Sequence, residues 1–142
     1  MSRLDALFAR YGESHRHPAN QAIHWICVPL ITWSLLALLW WWTPVSAYAL
    51  IALATAYYLT LSVPLAIGML AVTALMIAPL TRLPSDVLLP LAVAVFVVAW
   101  VGQFVGHKIE GRRPSFFEDI TYLLVGPLRL MGLVFRRFGI LY

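Results

Sequence analysis

Between Ala22 and Gly106 the chain carries just two charged residues, Arg82 and Asp86, and both sit in one short turn. A stretch of that length with so little charge cannot cover itself against water. Over all 142 residues 62% are hydrophobic and 11% charged, against roughly 25% charged in ordinary soluble domains. Most of the surface must therefore face lipid or protein, which excludes a soluble globule and reads as one small polytopic membrane domain over residues 1–142.

The apolar stretch divides into runs of bilayer length. Ala22 to Trp42, at a rise of about 1.5 Å per residue, reaches about 31 Å, one hydrocarbon thickness. Trp40, Trp41 and Trp42 end it as an aromatic cluster suited to the headgroup level, before a turn at Thr43 and Pro44. Val45 to Leu61 and Pro64 to Leu80 are two further, shorter spans broken around Ser62 and Val63. A single helix through both would overshoot the bilayer, and Pro64 would remove an interior hydrogen bond. Thr81 to Asp86 is a polar turn, and Val87 to Gly106 is a fourth span.

Amphipathic segments flank these runs. Leu4, Leu7, Phe8 and Tyr11 recur at helical spacing within residues 2–14, and acids mixed with bases there do not read as a removable signal peptide. After the fourth span, Ser115 and Glu118 have the spacing of a capping box. Phe116, Ile120, Leu123 and Leu124 then form an apolar face up to Gly126 and Pro127, and Leu130, Met131, Val134, Phe135 and Phe138 continue in a basic tail. The expected fold is all-α: four transmembrane helices plus N- and C-terminal amphipathic helices at the interface or packed on the bundle.

Charge supports an even number of spans. Arg3, Arg10 and Arg16 precede the first, and Lys108, Arg112, Arg113, Arg129, Arg136 and Arg137 follow the fourth, leaving Arg82 alone elsewhere. Lys and Arg gather on the cytoplasmic side, so both termini are expected there, at a bacterial inner membrane. Because the basic residues flank apolar runs and do not alternate with aromatics on a polar face, nucleic acid is not an expected partner. No phosphate-binding loop, dinucleotide fingerprint, nucleophile elbow or Cys-x-x-Cys is present, and the lone Cys27 reads as a buried hydrophobe. Gly102 and Gly106 form a Gly-x-x-x-Gly face on which another helix can approach closely, with a second copy of the chain as one candidate for that helix.

Four histidines fall at one membrane boundary under this topology. His15 and His17 precede the first span, His24 lies about one turn inside it, and His107 ends the fourth. A polar side chain inside a span is costly and should turn inward to a partner. Pro18 suits a first helical turn, so Asn20 and His24 share a face, as Gln103 and His107 do on the last span, with Glu110 one turn beyond. Imidazoles from separate segments suit a borderline divalent metal such as iron or zinc. A hydrogen-bonded structural cluster, a haem site and a proton pathway are the competing readings. Lys108, Arg112 and Arg113 around this rim serve topology and anionic lipid, or hold a carboxylate headgroup while an acyl tail stays between the spans.

Two blocks of sequence carry a resemblance. Tyr11-x-x-x-His15, Asn20-x-x-x-His24 with Cys27-Val28-Pro29-Leu30, and the later run from Gln103 to Pro114 resemble the fungal 2-hydroxy fatty acid dioxygenase family, named for metabolism of phytosphingosine to odd-numbered fatty acids. The resemblance spans nearly the whole chain and looks like a bacterial branch; Glu110 stands one residue closer to His107 than in the fungal pattern. It implies a multispanning enzyme that uses Fe(II) and O2 to shorten a 2-hydroxy fatty acid by one carbon, with no organic cofactor. It carries over His15, His24 and His107 as metal-linked histidines and His17 as a less constant fourth position. On that reading Arg112, Arg113, Lys108, Asn20 and Gln103 are candidates for substrate binding, and membrane lipid is the surrounding partner. A non-enzymatic membrane module binding metal or haem, or an assembly factor using the Gly102–Gly106 face, is the alternative.

Overall fold

In the computed structural model, which describes residues 1–111 and 120–142, six helices follow one another: α1 (Arg3–Glu13), α2 (Pro18–Trp42), α3 (Pro44–Leu59), α4 (Val63–Leu80), α5 (Ser85–Glu110) and α6 (Ile120–Arg137). No strand occurs among the described residues. The local chemistry of the starts and stops explains most boundaries. Pro18, Pro44 and Pro64 each occupy a first helical turn, where a missing N–H costs nothing. Ser2 and Asp5 form a reciprocal capping box on α1. Gly111, with φ of 76°, closes α5 in the left-handed conformation.

Three helices, α2, α4 and α5, are long and apolar enough to cross a membrane. The expectation of four spans therefore meets a shorter element in α3, whose 16 residues rise about 24 Å, below the roughly 30 Å hydrocarbon core. Outward faces are built for an apolar solvent: Leu53 is 71% exposed, Leu75 74% and Val98 69%. Ordinary water-facing helices do not present such residues in rows.

The most extensive packing is between α2 and α5. Gly102 and Gly106 make it possible, since a Cβ at Gly102 would lie 2.5 Å from Cys27 Sγ and one at Gly106 would collide with Asn20 Oδ1. The small-residue stripe thus brings in another helix, as expected, and that helix is α2 of the same chain. Within the chain, this stripe is occupied by Cys27, Asn20 and Ile23 of α2.

The amphipathic ends fold onto the bundle. Leu4 and Phe8 of α1 are buried with Val125 and Leu128 of α6 and with Tyr58, Leu65 and Met69 of α3 and α4. Where a break was expected at Gly126 and Pro127, α6 runs through unbroken. Gly126 is buried against Tyr11 and Val28, and the Tyr58 hydroxyl donates to the Leu124 carbonyl at 2.7 Å, so packing on both sides holds the helix across its proline. Ser115 and Glu118, expected to cap this helix, lie outside the described residues. Because α6 touches Tyr11, Val28, Tyr58 and Gly68, it closes the end of the bundle at which α2 begins and the α3–α4 turn sits.

Candidate metal centre

The start of α2 and the end of α5 bring His24 and His107 to that same end, and the α1–α2 connection folds His15 over them. His24 is 4% exposed and His107 8%. One nitrogen from each ring lies within 4.8 Å of the others. Ring centroids are 4.2 Å apart for His15 and His24, and 5.2 Å apart for His107 with either.

Backbone bonds define which nitrogen faces inward. His15 Nδ1 lies 2.7 Å from the Tyr11 carbonyl and His24 Nδ1 lies 2.9 Å from the Asn20 carbonyl. A carbonyl accepts only, so each Nδ1 carries the proton and each Nε2 offers a lone pair. Those two Nε2 atoms are 2.9 Å apart. Two lone pairs at that separation repel unless a cation or a proton lies between them. The Nδ1 of His107 is also buried without a partner. Three neutral imidazoles, two of them oriented by carbonyls on their far nitrogens, are the donor set of a borderline divalent metal with an oriented outer shell. Burial draws the His15 pKa below its ordinary value, against the opposing bond to the Tyr11 carbonyl, which keeps that imidazole unprotonated and able to bind a metal.

The connection that carries His15 is tied down by Glu110. Its carboxylate accepts from the Arg16 N–H at 2.9 Å, the His17 N–H at 2.8 Å and Asn20 Nδ2 at 3.1 Å. Glu110 therefore joins the end of α5 to the approach of α2 and lies outside the histidine cluster. Gln21 Nε2 adds a bond to the His15 carbonyl at 2.8 Å, and the Tyr11 ring stacks on His15 with centroids 4.1 Å apart and planes at 8°.

The other candidates separate clearly. His17 is exposed and caps α2, its Nδ1 accepting from the Ala19 N–H at 3.1 Å; the expectation of a fourth metal-linked histidine is corrected, because the Pro18 helix start turns this ring back to its own backbone. Asn20 is fully buried and donates its Nδ2 to the Ser14 carbonyl and to Glu110, so it positions the His24 turn, while its Oδ1 is buried without a partner. Lys108 is exposed and lines neither cavity beside the triad. Gln103 is buried and lines the apolar approach between α2, α5 and α6. Arg112 and Arg113 lie outside the described residues.

Two cavities meet at the histidines. One, of about 80 Å³, runs from the triad past Gln103 and Trp100 to Val28, Ile31 and Thr32, with Tyr122, Gly126 and Pro127 of α6 as its other wall. The second, of about 130 Å³, opens between α1, α2 and α6 past Gln21, Trp25 and Arg129. Trp100, Tyr122 and Arg129 were not singled out from the sequence as site residues. Their signal was weak: Tyr122, Gly126 and Arg129 share one face of α6, but an aromatic and a cation on an amphipathic helix read equally well as interfacial anchors. No curated protein and no solved structure matches the chain. A family profile covers residues 1–138, two blocks of histidines included, and by it the chain belongs to the 2-hydroxy-palmitic acid dioxygenase Mpo1-like family.

Proposed function

We propose that the protein is an iron(II)-dependent membrane dioxygenase that shortens a 2-hydroxy fatty acid by one carbon. The observation that carries this reading is the meeting of His15 and His24 through Nε2 atoms 2.9 Å apart, with His107 beside them, in a chain of this family. His15, His24 and His107 would hold the metal, which when bound supplies O2 activation and a charge for the hydroxy acid to chelate. The chain's own residues do the rest. The Tyr11 and Asn20 carbonyls hold two imidazoles in one tautomer. The apolar wall of Val28, Ile31 and Trp100 excludes water and aligns an alkyl chain with the triad. The imidazoles converge on one another and not on a flat slot, which favours a bare ion over haem.

Counting α3 as a short fourth span puts both termini, and the histidines, on the side where Lys and Arg collect, the cytoplasmic face of an inner membrane. A substrate dissolved in the bilayer then reaches the site sideways between helices. Aerobic incubation of purified, iron-loaded protein with 2-hydroxyhexadecanoic acid, followed by mass spectrometry, should show the acid one carbon shorter; unchanged acid from metal-replete protein refutes the reading.

A further inference from the structure

Among the described residues, the second cavity has one cation on its wall. Arg129, half-buried on α6, lines it together with His15, His24 and Gln21. Its guanidinium lies over the Phe8 ring at 5.2 Å from the centroid, which steadies the side chain against α1. The groups coupled to it electrostatically include Arg136, Tyr142, Tyr11 and, across the cavity, His15, and no carboxylate among the described residues is paired with it. A half-buried cation is costly unless an anion meets it. The described residues supply no such anion, and the cavity leads from Arg129 to the two imidazoles that also open on the apolar approach.

The geometry points to Arg129 as the group that receives the carboxylate of an anionic amphiphile whose hydroxyl-bearing carbon lies at the histidines. The inference rests on the proposed reading and adds to it the residue that tells a free acid from its ester. A planar guanidinium suits this role because its fork pairs with both carboxylate oxygens. The two cavities then divide the ligand, with the alkyl chain against α2 and α5 and the charged end between α1, α2 and α6.

Binding of 2-hydroxyhexadecanoic acid and of its methyl ester to iron-loaded wild-type protein, Arg129→Met and Arg129→Lys tests this, with metal content measured on every sample. Wild type should bind the acid at least about tenfold more tightly than the ester. Arg129→Met should lose about tenfold to a hundredfold in affinity for the acid, with the ester and the metal content unchanged, and Arg129→Lys should restore part of the loss. Equal binding of acid and ester by wild type, an unaltered acid affinity in Arg129→Met, or loss of metal from that variant would each overturn the assignment. If Arg129→Met does not fold, the wild-type comparison and Arg129→Lys still decide. Arg129-dependent discrimination without any chain-shortened product would leave the anchor standing and refute the dioxygenase reading. Turnover by Arg129→Met with an unchanged KM would refute the anchor alone.

Discussion

Adding one methyl group at Gly106 tests the packing on which the metal centre depends. The new Cβ would run into Asn20 Oδ1, and Asn20 is fully buried with its amide committed to Ser14 O at 3.3 Å and Glu110 at 3.1 Å. Overpacking of this kind costs about 1–3 kcal/mol. Each neutral or charge-assisted bond that Asn20 gives up in moving costs roughly 1 kcal/mol more. Replacing glycine by alanine inside a helix returns about 1 kcal/mol. With one of the two bonds lost, the balance is a net loss of about 1–3 kcal/mol for Gly106→Ala. Gly12 is the control, because a Cβ there meets nothing within 4 Å, so Gly12→Ala should be neutral or stabilising by up to about 1 kcal/mol. Thermal unfolding in detergent, with metal content measured on the same samples, reads both effects. Since the Asn20 carbonyl orients His24, Gly106→Ala should also weaken metal binding by about tenfold to a hundredfold. Adding Asn20→Ala removes the colliding oxygen, so the double variant should lose less than the sum of the single losses, with a coupling of about 0.5–3 kcal/mol. A Gly106→Ala protein as stable as Gly12→Ala, or a strictly additive cycle, would refute the close approach of α2 and α5.

Three further outcomes follow from named contacts. His15→Ala, His24→Ala and His107→Ala should each abolish stoichiometric iron, measured by elemental analysis, while His17→Ala keeps it and loses about 1 kcal/mol of stability as a missing helix cap; retention of iron by His24→Ala counts against the triad. Tyr58→Phe should lower stability by about 1 kcal/mol by removing the donor to the Leu124 carbonyl, and an unchanged melting temperature would mean that α6 is not pinned at this point. Iron at one hundred times its dissociation constant should raise stability by about 2.7 kcal/mol over chelated protein, in wild type but not in His15→Ala; equal shifts in both would place the ion elsewhere.

Helix positions were legible in the sequence because their causes are local. Prolines at 18 and 64 begin helices, and uncharged runs mark the long apolar ones. Gly126 and Pro127 misled for the same reason. Their local preference is to break a helix, but burial of Gly126 against Tyr11 and Val28 supplies packing that propensity does not contain.

The candidate site divides along the same line. Polar residues placed inside or at the ends of apolar spans already marked His24, His107, Asn20 and Gln103 as inward-facing, since lipid penalises any other direction. Spacing could not say that Glu110 would bind two backbone N–H groups of the α1–α2 connection, that His17 would cap its own helix, or that α5 would consume the Gly102–Gly106 stripe on α2. Nor could it bring Arg129 beside His15, because that requires α6 to dock against α1 and α2 with one face turned inward. By itself the sequence determined an all-helical chain with runs apolar enough to cross a membrane and histidines near the ends of two of them. Tertiary structure decided which of them meet, because each residue turns a helix face by about 100°, and only contact between helices selects the rotation that turns three imidazoles onto one point.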